Sequence, residues 1–278
     1  TTGALQGWYE GKQLGEIWGF ETDRYFNSSD LNSDGTLKEG IPDQSYIQTG
    51  SFRFGAGDVK FKDIDGSGKI DTGKGTIDDH GDLKRIGNAL PRYEYSLRLG
   101  AMFKGFDFEV LFQGVGKRDM WTTSSLFIPH AAGAQMNIFE NQLDYWTENN
   151  QNARFPRPYI NSAFGSLSGL PSNSGINNFV PQTKYLNNLA YLRVKNLTVG
   201  YTIPQNLTQK VSVEKLRIYF SAQNLLTFDH IDGVMDPEST GGWSSGLNVD
   251  SLSGVDTRYA GRSMPFNRQW SCGVQITF

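Results

Sequence analysis

The sequence has a single cysteine, Cys272, so no internal disulfide framework can staple it, and its redox compartment stays undetermined. No run approaches the roughly 20 apolar residues of a membrane-spanning helix, so only strands of about 9 to 11 residues could carry this chain across a bilayer. The three histidines, His80, His130 and His230, lie in separate loops without metal-ligand spacing, and neither a nucleophile motif nor a Gly-rich phosphate loop is present. Blocks of Lys and Arg are missing as well, and a net charge of -3 disfavours nucleic acid as a partner. The first residues, Thr1-Thr2-Gly3, carry no Met, charged n-region or apolar h-region, and read as a processed chain or a fragment.

What is present is a strand-forming composition. Only 37% of the 278 residues are hydrophobic, yet 13% are aromatic and 32 are glycine, which suits many strands joined by polar, Gly-rich loops. The clearest signal runs from Arg92 to Gly116, where two alternating runs flank Lys104-Gly105 and predict a hairpin. On the first run Tyr93, Tyr95, Leu97, Leu99, Ala101 and Phe103 share a face, opposite Arg92, Glu94, Ser96, Arg98, Gly100 and Met102. On the second, Phe106, Phe108, Val110 and Phe112 oppose Asp107, Glu109, Leu111 and Gln113. Each run has the length that crosses a bilayer when tilted, and Tyr93, Tyr95 and Phe103 suit an aromatic girdle.

Further strands are expected at Leu189 to Ile203, Leu216 to Leu225 and Arg268 to Phe278. In the first, Leu192 and Val194 fall on one parity and Leu197, Val199, Tyr201 and Ile203 on the other, which requires a bulge near Lys195-Asn196. Pro204 ends that strand, and a short connection to Lys215 makes a second hairpin. The final run places Trp270, Cys272, Val274, Ile276 and Phe278 on one face and is expected to be a barrel's closing strand. Long Gly/Ser/Asn-rich stretches at Thr122 to Tyr185 and Asp229 to Asn267 read as the extracellular loops such barrels tolerate. Gln135 to Asn149 is a candidate short helix burying Ile138, Leu143, Tyr145 and Trp146, or else a packed loop.

One spacing points to a cation. Asp63, Asp65, Ser67, Lys69 and Asp71 occupy positions one, three, five, seven and nine of an EF-hand-like calcium loop, with Gly68 at six. Position twelve is Lys74, which cannot supply the bidentate carboxylate, leaving Asp78, Asp79 or Asp82 as substitutes. The candidate ligand set is therefore Asp63, Asp65, Ser67, Lys69, Asp71 and Asp82, within a loop spanning residues 58–82, and the alternative is an Asx-rich turn without metal. Asp30-Leu31-Asn32-Ser33-Asp34-Gly35 repeats the early pattern, but Ile41 at position twelve favours a polar loop. Trp121, Trp146, Trp243 and Tyr259 are candidate contacts to a sugar or a lid, against the plainer reading of loop packing.

The stretch Tyr191-Leu192-Arg193-Val194-Lys195-Asn196-Leu197-Thr198-Val199-Gly200-Tyr201-Thr202-Ile203-Pro204 resembles the hallmark strand of SusC/RagA-type TonB-dependent transporters. In the same order that family has segments like Gly57-Asp58-Val59-Lys60 with Asp63 to Asp71, Ile86-Gly87-Asn88, Lys104-Gly105-Phe106-Asp107, Lys215-Leu216-Arg217-Ile218-Tyr219, Gln223-Asn224-Leu225, Asp236-Pro237-Glu238, and Arg262 before the terminal strand. The resemblance runs from about Trp18-Gly19-Phe20 to Phe278. It implies an all-β fold in which residues 1–278 are the C-terminal part of a large antiparallel transmembrane β-barrel of the 22-stranded type with long extracellular loops. It also implies an N-terminal plug and a TonB-contacting segment outside these residues, outer-membrane lipid around the barrel of a Gram-negative bacterium, and a SusD-like surface lipoprotein over its lumen. The expected activity is import of oligosaccharides or, in the RagA branch, peptides, with no bond made or broken. The residues leave two other readings open: a soluble secreted calcium- and glycan-binding β module, and a β-rich glycoside hydrolase.

Overall fold

A computed structural model describes residues 3–49, 52–129, 138–159, 175–231, 233–240, 261 and 263–278. Trp243, Tyr259 and Arg262 lie outside the described residues. The strands in chain order are β1 (Glu16–Phe20), β2 (Thr22–Tyr25), β3 (Val59–Phe61), β4 (Leu83–Asn88), β5 (Tyr93–Phe103), β6 (Phe106–Gly116), β7 (Asp119–Met120), β8 (Asn187–Asn188), β9 (Tyr191–Thr202), β10 (Lys215–Asp229) and β11 (Gln269–Thr277). Among the described residues the one α-helical turn is α1 (Gln205–Thr208), so the fold is all-β as expected. The chain divides into two compact units, one of residues 1–90, 119–187 and 240–263 and one of residues 91–118, 188–239 and 264–278.

The first unit pairs β1 with β4 and β2 with β3, all antiparallel. β1 is buried along its whole length because both flanks are covered: β4 on one edge, and Pro181 and Thr183 bonded to Phe20 on the other. Gly19 is required there, since a Cβ would come within 2.5 Å of the Pro181 carbonyl oxygen. Phe26, Phe52 and Phe54 form an aromatic core with Leu37, Ile41, Ile47 and Tyr159 packed against it. The backbone of β3 is satisfied by side-chain amides: Gln44 accepts from Phe61 N–H and donates to the Val59 carbonyl, and Asn178 accepts from Val59 N–H. Such partners give a buried strand edge the hydrogen bonds that water cannot.

The second unit is one antiparallel sheet in the order β11-β10-β9-β6-β5. The hairpin read at Lys104-Gly105 is present, with both residues at positive φ as a two-residue type I′ turn demands. The bulge near Lys195-Asn196 is also present: Leu111 faces Asn196 while Phe112 faces Val194, leaving Lys195 as the extra residue. On the other side β10 answers with Asn224 and Leu225 between Gln223 and Leu226, and Asn224 takes positive φ. The strand after Pro204 is reached through α1 and a 3-10 turn at Gln209–Val211, and β10 runs four residues beyond Leu225 to Asp229.

Of the two readings of Gln135 to Asn149, the described residues show the loop and not the helix. Among its described residues only Glu140–Gln142 make a 3-10 turn, and Ile138, Leu143 and Tyr145 are exposed while Trp146 alone is buried. The tyrosine and tryptophan side chains follow the extended backbone that pairs Tyr145 with Phe155 and Thr147 with Asn150, so no helical face exists to collect them.

Candidate functional site

Register assigns every side chain of the sheet to a face. Tyr93, Tyr95, Leu97, Leu99, Ala101 and Phe103 of β5 align through Phe112, Val110, Phe108 and Phe106 of β6 with Val194, Leu197, Val199 and Tyr201 of β9. From there the row continues through Ile218, Phe220, Ala222 and Leu226 of β10 to Val274, Cys272 and Trp270 of β11. This face is apolar across all five strands, and Tyr93, Leu97, Phe103, Phe106, Ile218, Trp270 and Val274 on it are exposed. Where a small residue leaves a gap an aromatic ring lies over it, as Tyr95 over Gly114 and Tyr93 over Gly116.

The opposite face is polar. Arg98 pairs with Glu109 at 2.7 Å, Ser221 bonds Ser271 at 2.7 Å, and Gln113, Thr198, Asn196 and Gln269 share the surface. Asp107 of β6 and Arg217 of β10 meet across the intervening β9, with Arg217 Nε donating to Asp107 Oδ1 at 2.9 Å. They can meet because the β9 residue between them is Gly200, where a Cβ would stand 2.5 Å from Asp107 Oδ1 and 2.6 Å from Arg217. At the other end of the sheet Arg193, nearly fully buried, donates to Asp236 at 2.7 Å and to Glu238 at 3.1 Å.

In the first unit, carboxylate oxygens of Asp63, Asp65 and Asp82 lie within 4.8 Å of one another, as one cation needs. Asp82 is fully buried and accepts the backbone N–H of Ile64 at 2.6 Å and of Asp71 at 2.9 Å. Its carboxyl is pushed up from its ordinary value by burial, with Asp65 and Asp63 adding repulsion. Asp63 accepts from Gly66, Ser67 and Gly68, and Asp65 from Ser67, whose amide and hydroxyl hold the Asp65 carboxyl below its ordinary value. Of the three candidate substitutes for position twelve, Asp82 is therefore the one at the cluster, while Asp79 pairs with Lys74 at 3.3 Å. Asp71 turns its carboxylate to Gly73 N–H, and Ser67 and Lys69 bond each other, so these three stand beside the cluster. In the second acidic loop Asp30 is taken by Arg24 at 2.6 Å.

Trp121 and Trp146 are buried inside the first unit, Trp146 lying against Gly57. The same unit holds a network that residue patterns did not reveal. Asp58, fully buried, accepts from Tyr159 at 2.6 Å, Asn178 at 2.8 Å, Gly55 N–H at 2.8 Å and Arg157 at 3.3 Å. Burial pushes its carboxyl up, against the pull of Arg157. Arg157, Tyr159 and Asn178 reach it from 99 to 120 residues away, a separation no local spacing reports.

No family model matches the chain. It is 24% identical over 269 residues to TonB-dependent receptor P3 of Formosa agariphila, covering 97% of this chain and 22% of that protein. It is 22% identical over 222 residues to TonB-dependent receptor P26 of the same organism, covering 80% of this chain and 20% of that one. A solved structure described as the RagAB peptide transporter shares the fold, with a TM-score of 0.53 at 20% identity over 97% of this chain and 24% of that chain. The chain thus spans about a fifth of the length of the curated relatives it matches. Those relatives are receptors, not enzymes, and they support the family resemblance carried by Tyr191 to Pro204.

Proposed function

We propose that this chain, a stretch of a SusC/RagA-type TonB-dependent transporter, supplies part of the barrel wall and loops through which an outer-membrane importer takes up nutrient. The observation that carries the reading is the two-faced sheet, whose 11-residue β5 and β6 present an exposed apolar face on one side and ion pairs on the other. Water on both sides would leave the apolar face without a favourable contact. Lipid on one side and a wet lumen on the other satisfies both faces.

The short turns support the same reading. Lys104-Gly105 and Ile203 to Glu214 join strands at one end of the sheet, while the connections from Gly116 to Tyr191 and from Asp229 to Gln269 join them at the other. In the proposed barrel, of the 22-stranded type and closed by strands beyond this chain, the long connections face outward and the short turns face the periplasm. A SusD-like lipoprotein covers the lumen, TonB drives uptake through the rest of the protein, and the cargo is an oligosaccharide or a peptide. Transport alone requires no bond to be made or broken.

A host strain lacking the full-length protein tests this. Loss of growth on defined oligosaccharides or on peptides as sole carbon source, restored by the gene, is the expected result and names the cargo. Unchanged uptake of both, or recovery of the full-length protein in the aqueous phase without detergent, would sink the reading.

We propose also that calcium binds at Asp63, Asp65 and Asp82 and stiffens the loop of residues 58–82. The approach of the three carboxylates to one another supports this reading. Calcium should raise the melting temperature of the full-length protein, chelator should reverse it, and Asp82→Asn should abolish the response. A melting curve indifferent to calcium and chelator would remove the metal.

A further inference from the structure

The connection between β10 and β11 leaves the second unit after Ser239 and re-enters it at Met264. Its two roots are tied to the sheet and to each other. Arg193 of β9 sends Nε to Thr227 of β10 at 2.9 Å and its two terminal nitrogens to Asp236 at 2.7 Å and Glu238 at 3.1 Å. Glu238 receives two more donors, Tyr191 Oη at 2.5 Å and Lys195 Nζ at 3.1 Å. Asp236 in turn accepts the N–H of Glu238 at 2.9 Å and, from the other root, the N–H of Phe266 at 3.1 Å. The Phe266 ring sits under both cations, 5.4 Å from the Arg193 guanidinium and 4.5 Å from Lys195 Nζ. Ser239 bonds the Met264 carbonyl at 3.2 Å, closing the two roots on one another, and Asn224 of β10 bonds that of Asn267 at 3.1 Å, tying the second root to the sheet.

Register fixes the side on which this happens. Arg193 pairs with Gln113 and Thr227, and Tyr191 with Val115 and Asp229, on the same face as Asp107, Glu109 and Asn196. The bulge makes the arrangement possible. An extra residue at Lys195 lets a second cation reach Glu238 beside Arg193 while returning Leu197, Val199 and Tyr201 to the apolar face. The Asp236 carboxylate is buried to 7% exposure against a 2% exposed Arg193, which a freely solvated loop root would not be.

We infer that both roots of the β10–β11 connection fold inward over the polar face and are clamped there by Arg193, with Asp236 and Glu238 as its counter-charges, so that they narrow the lumen at the long-loop end. That this face is the inner one and lines a lumen rests on the barrel reading; the fold over the polar face and the clamp do not. Arg193 is thus a positioning residue, acting on the passage through the segment it holds. Planar two-acid recognition needs the guanidinium fork, and a lysine, as a point charge, engages one acid at a time.

The test uses the full-length protein with Cys272→Ala, and nitroxide labels at Gln113→Cys on the polar face and Ser239→Cys on the root. A single narrow, short distance is expected. Arg193→Ala should lose that peak, Asp236→Asn with Glu238→Gln should lose it equally, and Arg193→Lys should retain part of it. If Arg193→Ala fails to give a heat-modifiable barrel, the paired loop-side variant decides, since it leaves every strand residue intact. A broad distribution in the starting protein, or a peak that survives the loop-side variant, overturns the clamp. Because the distance is read without any cargo, it stands or falls separately from uptake in the growth assay.

Discussion

Phe26, Phe52 and Phe61 of the first unit are at most 1% exposed, whereas Tyr93, Phe103, Trp270 and Val274 of the second are each more than half exposed. Both units use the same residue types. In the first, short paired strands and loops fold around an aromatic core, with some charges paired near the surface, as Glu21 with Lys62 and Lys84, and others buried with partners, as Asp58 with Arg157. In the second, the sheet turns its apolar rows outward and gathers its charges on the other face, as Arg217 with Asp107 and Arg193 with Asp236. One region buries its large apolar side chains and the other exposes them, as the proposed lipid contact of the second requires. The difference lies in the direction of the apolar face, which composition cannot report and register can.

The contrast is open to direct attack. Phe61→Ala should cost the first unit about 3–5 kcal/mol through lost burial and a cavity. Hydrogen exchange should show faster amides in β1 to β4 with the β5–β6 hairpin unchanged; equal loosening of the hairpin would mean that the units do not fold independently. Leu99→Arg, on the apolar face near mid-strand, should destabilise the proposed barrel by about 2–4 kcal/mol, and Ser96→Arg on the polar face by far less. Urea titration of the heat-modifiable form in detergent or vesicles measures both, and similar effects from the two would erase the distinction between faces.

Gly200→Ala should cost about 1 kcal/mol, because the new methyl displaces the ends of the Asp107 and Arg217 side chains and loosens their pair. A neutral result would show that this pair does not need the glycine. The smallest effect belongs to pH. Hydrogen bonds from Lys62 first and Lys84 second hold the Glu21 carboxyl down, from an ordinary 4.5 to about 2. A depressed acid contributes stability that is present above 4.5 and lost as pH falls toward 2, no more than about 1 kcal/mol for a pair this near the surface. Glu21→Gln should therefore flatten the acid-side loss of first-unit stability, and an unchanged acid slope would assign it to other carboxylates.

Much of the second unit was legible because its signals are local. The hairpin turn needs two residues at positive φ, and Lys104-Gly105 stands between runs of strict alternation, so strand ends and facing follow from eleven residues on either side. The parity change at Lys195-Asn196 announced the bulge for the same reason. The first unit hid its strands. β1 is buried on both faces and so does not alternate, and its partner β4 lies more than 60 residues away. The acidic loop is half legible: spacing gives Asp63 and Asp65 and names Asp82 beside Asp78 and Asp79, and the fold brings Asp82 to the first two while Ser67, Lys69 and Asp71 stand aside. Arg193, Asp236 and Glu238 were each visible as parts of family-like segments, but their meeting depends on where a long connection returns. The helix reading of Gln135 to Asn149, beside that of a packed loop, rests on apolar spacing that the chain uses in extended form.

The central claim is that the sheet of the second unit has lipid on one face and water on the other. Nitroxide labels placed one at a time along β5, from Tyr95 to Ala101, in the full-length protein in bilayers test it most directly. Collisions with dissolved oxygen should peak at Tyr95, Leu97, Leu99 and Ala101, and collisions with a water-soluble nickel chelate at Ser96, Arg98 and Gly100, in strict alternation. Equal access of the nickel reagent to both sets would contradict the account.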